Sequence, residues 1–172
     1  ANDSDPNGDA LTITNVDTTG TIGTLVCDTV NPGGTCDYTA NGGVGLTTFT
    51  YGATDGALTN DPPNATVTIT VVANEAPVAN ADAATTDVNT AVVVNVLAND
   101  TDGNGDTLTI ASFDATSANG ATVSCDTATG DCTYTPGTFT GDDTFTYVAT
   151  DGDLNSAPAT VTVTVNAVTT NN

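Results

Sequence analysis

Residues 143–152 read DTFTYVATDG, and residues 158–165 read PATVTVTV. In the first stretch Phe145, Tyr147 and Ala149 alternate with Thr144, Thr146 and Thr150. In the second, Val161, Val163 and Val165 alternate with Thr160, Thr162 and Thr164. An apolar side chain at every second residue lines one face of a strand and leaves the hydroxyls on the other. β-branched Thr and Val suit that pleated surface. The connecting residues include Asp151, Gly152 and Asn155, which favour turns.

The same pair occurs earlier, as TTFTYGATDG (47–56) and NATVTITV (64–71). ANDSDPNGDALTI (1–13) matches ANDTDGNGDTLTI (98–110), and CDYTA (36–40) matches CTYTP (132–136). The offset falls only from 97 (98 against 1) to 94 (158 against 64). Self-similarity at this spacing marks two homologous modules. The first is assigned to residues 1–73 and the second to 74–172, including a linker at 74–82. The stretch NEAPVANADAATTDVNTAVVVNVL (74–97) opens with Pro77 and ends in an apolar run. It has no counterpart before residue 1, so module one is expected to start partway through its repeat. Module two reads as strands at 78–80, 90–97, 107–113, 120–126, 131–135, 143–150 and 158–166, with no helical periodicity competing. Seven short strands in about 95 residues predict an all-β fold of two tandem immunoglobulin-like antiparallel β-sandwich modules.

The chain carries 21 acidic residues and no Lys, Arg or His, for a net charge of −21. About 21 Lys and Arg would be expected at average usage. Without them, binding to nucleic acid or to anionic lipid is excluded, because both need cations against phosphate. No stretch approaches the ~18 apolar residues of a membrane-spanning helix. The patterned apolar runs argue against disorder despite the charge.

Cys27 and Cys36 bracket DTVNPGGT, and Cys125 and Cys132 bracket DTATGD. Each pair falls near the ends of two strands joined by a short turn. A cross-strand disulfide in each module is expected, with Gly34 or Gly130 supplying a positive φ in its turn. The alternatives are free thiols or a zinc site, and the latter would have to bring two separate modules together. Disulfides imply an oxidising compartment, outside the cell or on its surface.

Asp100, Asp102, Asn104 and Asp106 stand at alternate positions, as do Asp3, Asp5, Asn7 and Asp9. Alternate oxygen-bearing side chains on a tight loop suit a hard cation, and Ca2+ accepts several carboxylates more readily than Mg2+. The twelfth position from Asp100 is Ala111 and strands flank the loop, so this is no EF-hand. A solvated turn is the other reading, since Asp, Asn and Gly favour turns. Calcium is favoured because the spacing recurs and no basic side chain offsets the repulsion between carboxylates, which makes a divalent ion the only strong local counter-charge expected. Asp55 and Asp151, in the two ATDG stretches, form a second acidic set. The loops at 98–106 and 151–157 are expected at opposite ends of one module. On that topology Asp3, Asp5 and Asp9 would meet Asn74, Glu75, Asp82 and Asp151 at a calcium-stiffened joint.

The run NEAPVANADAATTDVNTAVVVNVLANDTDGNGDTLTI, with DTFTYVATDG and ATVTVTV after it, resembles the tandem cadherin-like and bacterial immunoglobulin-like repeats of large bacterial surface adhesins. The resemblance covers module two and residues 1–73. It implies extracellular sandwiches, often calcium-dependent, strung together as stalks. It carries calcium positions onto Asp100, Asp102, Asp106 and Asp151, and onto Asp3, Asp5, Asp9 and Asp55. The disulfides and the loss of all Lys and Arg depart from the common pattern.

The expected function is an extracellular structural spacer, calcium-stiffened, in an adhesin stalk or surface filament. The alternative is a calcium-dependent module that grips carbohydrate or protein. Enzymatic activity is not expected: there is no His for near-neutral proton transfer, no Lys for a Schiff base and no Arg to clamp an anion. Expected partners are neighbouring repeats or identical subunits, with glycans under the alternative. Module one's missing strand has two readings: the chain is a piece of a longer repeat protein, or a neighbouring subunit donates its segment near Asn166–Asn172 to build a fibre. Three Asn-x-Ser/Thr sequons, at Asn2, Asn64 and Asn99, are weak glycosylation signals.

Overall fold

The computed structural model describes residues 3–57 and 64–168. The Asn2 sequon and residues 169–172 of the C-terminal segment lie outside the described residues. Contacts divide the chain into two compact units, Ala1–Ala73 and Asn74–Asn172. Module one contains β1 (Thr12–Asp17), β2 (Thr24–Cys27), β3 (Cys36–Thr39), β4 (Gly45–Thr54) and β5 (Ala65–Val71). Module two contains β6 (Asp82–Asp87), β7 (Val92–Asn95), β8 (Thr109–Phe113), β9 (Thr122–Cys125), β10 (Asp131–Thr135), β11 (Gly141–Thr150) and β12 (Ala159–Asn166).

In module two one sheet has the order β6-β12-β11-β8 and the other β7-β10-β9. The opening stretch of sequence forms the β11–β12 hairpin, with Phe145 opposite Val161 and Tyr147 opposite Ala159. Phe145, Tyr147, Ala149, Val161, Val163 and Val165 are all buried, as their alternation requires. They pack against Val96, Val123 and Tyr134 from the second sheet or its ends. The Tyr134 and Phe145 rings stack across the sandwich with centroids 6.5 Å apart.

Two strand assignments change. Residues 78–80 form no strand; only Val78 pairs, in an isolated bridge to Thr101. The first strand of module two is β6, which runs parallel to β12 with Asp82 opposite Val161. One pair in this otherwise antiparallel fold is therefore parallel. The inward positions of β6 are Asp82, Ala84 and Thr86, so its apolar signal is weak. Backbone pairing to β12, and the bond from the buried Thr86 hydroxyl to the Thr90 carbonyl (2.7 Å), hold it in place.

Both disulfides are formed, Cys27–Cys36 and Cys125–Cys132, each joining directly paired residues of neighbouring strands. Gly130 takes the expected positive φ, but in module one Gly33 does so rather than Gly34. The longer loop moves the left-handed position by one residue. Gly34 is needed for space instead, since a Cβ there would stand 2.2 Å from the Asp28 carbonyl oxygen.

Module one repeats the hairpin as β4–β5, with Phe49 opposite Val67, and β1 flanks β4. Its second sheet is β2-β3 alone. Among the described residues Phe49 is its one buried large apolar side chain, while Val26, Leu46 and Val72 are exposed.

This asymmetry predicts unequal mutational costs. Phe145→Ala lowers the stability of module two by about 3–5 kcal/mol, the usual loss for a fully packed aromatic. Phe49→Ala in module one costs clearly less, because fewer buried neighbours lose contacts. Denaturation with hydrogen exchange read module by module measures both.

Candidate functional site

Strand pairing decides where the acidic loops go. Thr150 at the end of β11 lies opposite Thr109 at the start of β8. The loop entering β8 and the turn leaving β11 therefore share one end of module two, which corrects the expectation of opposite ends. β6 also starts there, because it runs parallel to β12. Asp82, Asp100, Asp102, Asn104, Asp106 and Asp151 thus collect at a single acidic end. Asn74 and Glu75 lie against it: the Asn74 amide donates to Asp151 Oδ2 (2.9 Å), and the Glu75 N–H donates to Asn104 Oδ1 (2.7 Å). In module one Thr12 pairs with Thr54, so Asp3, Asp5, Asn7 and Asp9 share an end with Asp55. Val71 pairs with Gly45 at the other end of that hairpin. Within module two, Asn74, Glu75, Asp82 and Asp151 thus gather with the loop at 98–106, and within module one Asp3, Asp5, Asn7 and Asp9 gather with Asp55.

The two loops are built alike. Asp102 Oδ1 accepts the N–H groups of Asn104 (2.8 Å) and Asp106 (3.1 Å). Asp5 Oδ1 accepts those of Asn7 (2.7 Å) and Asp9 (3.1 Å). The middle Asp of each motif is thus a turn pin. The first Asp is anchored by a tyrosine: Tyr51 donates to Asp3 Oδ2 (2.6 Å), and Tyr147 Oη stands 2.9 Å from Asp100 Oδ1. Asp106 and Asp9 are exposed. Asp151 Oδ1 accepts the N–H groups of Asp153 and Leu154, both at 2.7 Å. Asp55 Oδ1 accepts that of Ala57 (2.8 Å). Backbone N–H groups, hydroxyls and amides therefore supply much of the positive potential expected from a divalent ion.

Among the described residues no three acidic or other metal-binding side chains converge on one point. Two carboxylate oxygens nevertheless remain buried without a hydrogen-bond partner, Asp82 Oδ2 and Asp102 Oδ2, both at the acidic end of module two. Burial pushes the Asp82 carboxyl up to about 6, and the nearby Asp100 charge adds to this; Tyr147 and Asn99 offset part of it. Burial and the Asp100 contact also raise the Tyr147 hydroxyl strongly. That hydroxyl lies 2.7 Å from the Val96 carbonyl and 3.0 Å from the Asn80 carbonyl. Oxygen donors are thus dense here. Asn99 is itself engaged, its amide donating to the Ala81 carbonyl (3.1 Å).

One acidic residue not singled out in the sequence is the most buried. Asp143 is 1% exposed. Burial opposes its ionisation, but bonds from Ser117 and Tyr134 and from the backbone of Asn119 and Thr144 outweigh this and hold its pKa below the ordinary value. Its place is visible in the sequence, because it shares the inward phase of Phe145 and Tyr147. Module one has Thr47 at that position, also buried, accepting the Ile22 N–H (2.7 Å).

A family model described as bacterial Ig domain matches residues 1–70 and 74–164. Among solved structures, domains 4–9 of the surface layer protein SbsC are 18% identical, over 96% of this chain and 24% of that one, with a TM-score of 0.50. An endo-fucoidan hydrolase of glycoside hydrolase family 107 is 24% identical, over 95% of this chain and 24% of its own, with a TM-score of 0.38. The Escherichia coli adhesin FdeC is 18% identical, over 92% of this chain and 52% of its own, with a TM-score of 0.35. The chain thus spans about a quarter of the first two, and these likenesses concern the fold alone. No curated protein matches the chain.

The raised pKa of Asp82 sets a pH dependence. The folded state holds this proton more tightly than the unfolded chain, so the group's contribution is fully present below the ordinary value of 3.8 and is lost as pH rises through about 6. In chelator, module two is expected to melt higher at pH 5 than at pH 7, and Asp82→Asn should flatten that slope. Asp143 acts oppositely at lower pH, where its protonation removes stability. Thermal melts across pH 3–7 check both signs.

Proposed function

The chain belongs to the bacterial Ig domain family, and from that premise we propose that it is a calcium-stiffened structural spacer in a stalk or filament outside the bacterial cell. The observation that carries the calcium part is the pair of buried, unpartnered oxygens on Asp82 and Asp102, at an end where Asp100, Asn104, Asp106 and Asp151 also gather. A carboxylate buried without a donor is costly, and Ca2+ takes 6–8 such oxygens in flexible geometry. The donor set, all oxygen, fits that ion. Asp82 and Asp102 would each offer the ion an oxygen; since no three such side chains converge on one point among the described residues, Asp100, Asn104, Asp106 and Asp151, with Asn74 and Glu75, would have to draw in around it. Asp3, Asp5, Asn7, Asp9 and Asp55 are their module-one counterparts. The ion would supply charge neutralisation and lock the loops, and no chemistry on a substrate.

A location outside the cell is supported by a disulfide in each module. A non-catalytic role is supported by the lack of His, Lys and Arg and by membership of a repeat family. Among the described residues no helix is long and apolar enough to cross a membrane. Neighbouring repeats are the natural partners of such a spacer. The alternative, a carbohydrate-gripping module, calls for exposed aromatic rings beside the ion. Phe49, Tyr134, Phe145 and Tyr147 are buried in the cores, and the exposed Phe139 precedes the start of β11, at the end away from Asp151; the ring nearest an acidic loop, Tyr51, is half-buried and bonds Asp3, which favours the spacer.

Melting with calcium against chelator tests the proposal. Calcium at 100-fold over its dissociation constant should stabilise module two by about 2.7 kcal/mol, or about 10–20 °C for a module of this size. The shift should vanish in an Asp82→Asn, Asp100→Asn double variant. Equal melting in calcium and EDTA overturns the calcium reading.

A further inference from the structure

The two acidic loops share their hydrogen bonds but differ inside the turn. Gly103 in DTDGNGD (100–106) stands where module one has Pro6, in DSDPNGD (3–9). The bonds to Asp102 Oδ1 and to Asp5 Oδ1 run to the same positions of each loop. The Gly105 N–H donates to the Asp102 carbonyl (3.3 Å), and the Gly8 N–H to the Asp5 carbonyl (3.1 Å). Gly105 and Gly8 take φ of 83° and 81°. Gly103 is not among the residues with positive φ, and Pro6 shows that the turn forms with a side chain there. The backbone therefore does not call for glycine at 103.

Space does call for it. A Cβ on Gly103 would stand 2.3 Å from Glu75 Oε2 and 3.2 Å from the carbon of that carboxylate. The backbone on both sides of Glu75 is fastened. Asn74 donates to Asp151 (2.9 Å), the Glu75 N–H donates to Asn104 (2.7 Å), Pro77 is buried, and Val78 and Thr101 exchange two main-chain bonds (2.8 and 3.1 Å). These contacts aim the Glu75 carboxylate at a loop that already carries Asp100, Asp102 and Asp106. No cationic side chain exists in the chain to balance a fourth carboxylate. Carboxylates gathered on one loop repel, so charge alone would turn Glu75 out to water. Its place over Gly103 suits an oxygen offered to the same cation as Asp102 Oδ2, which is buried without a partner.

We propose that Gly103 is a positioning residue: the room it leaves admits the Glu75 carboxylate to the acidic loop of module two, and this makes that loop a tighter calcium site than the loop of module one. The proposal rests on the calcium reading above and names what ranks the two loops. In module two Glu75 adds an oxygen toward the ion. In module one the Cβ of Pro6 fills the equivalent space, so a carboxylate cannot lie on that loop in the same way. Gly103 acts only through Glu75, and Glu75 reaches the loop only across Gly103. Substitutions of the two are therefore non-additive, as for groups that share one interaction.

Calcium alone, titrated into the full chain by calorimetry with hydrogen exchange read module by module, tests it. The expected result is that module two gains protection at a lower calcium concentration than module one. Gly103→Ala should weaken calcium binding by module two at least ~10-fold, because its Cβ displaces the far end of the Glu75 side chain. Glu75→Gln should cost a similar factor, and the double variant no more than either alone. In chelator Gly103→Ala should melt no lower than the unsubstituted chain, which separates positioning from a structural need for glycine. Unchanged affinity in either single variant, additive losses in the double, a lower melt of Gly103→Ala in chelator, or earlier protection of module one overturns the proposal. A chain that responds to calcium while ignoring both substitutions overturns this proposal alone. A chain in which neither module responds overturns the calcium reading and this proposal with it.

Discussion

A chain with 21 carboxylates and no cationic side chain must find positive potential elsewhere. It finds much of it in the backbone. Asp5, Asp28, Asp55, Asp102, Asp126 and Asp151 each accept N–H groups from residues two to four positions on. Such bonds define the turn, and at Asp28 and Asp151 they hold the carboxyl below its ordinary pKa. The acidic residues are thus the devices that make the connections between strands, their side-chain oxygens accepting the N–H groups that close each turn. Hydroxyls complete the supply: Thr146 for Asp114, Tyr134 and Ser117 for Asp143, Tyr51 for Asp3. This supply does not reach Asp82 Oδ2 and Asp102 Oδ2, which stay buried without a hydrogen-bond partner.

Core packing and acidic end are mechanically one object. Tyr147 belongs to the apolar face of β11, and its ring is buried. Its hydroxyl emerges at the end of the sandwich, against Asp100 and the carbonyls of Val96 and Asn80. The strand that closes the core and the loop that carries the acids are thereby tied to one side chain. Any ion held at Asp82 and Asp100 would act directly on the packing around Val96.

The two modules show what one segment contributes. Both carry the same hairpin, a disulfide-closed turn and the same acidic loop, the turn of module one being two residues longer. Module two adds β6 and β7, and with them a core of well-packed aromatic and branched side chains. Module one retains a cavity where Val96 would sit.

Period-two alternation of Val and Thr by itself determined the strands β11 and β12 and their copies. The internal match determined that there are two modules, and the short spacing between cysteines on adjoining strands determined the disulfides. The strands and the disulfide turns are local features, readable within about ten residues, and the repeat is read by comparing one stretch with another. The turn-pinning role of Asp102 and Asp5 was also foreshadowed by their Asp-x-Asn-x-Asp spacing. Only the tertiary structure decided which strands meet. It placed β6 parallel to β12 although β6 carries little apolar signal, because Ala84 and Thr86 suffice at the margin of a core. It also brought Asp82, Asp100 and Asp151 to one end, by pairing Thr150 with Thr109 and Val161 with Asp82. Those partners lie tens of residues apart, and their choice depends on burying a whole core at once, a condition that no single stretch of sequence contains.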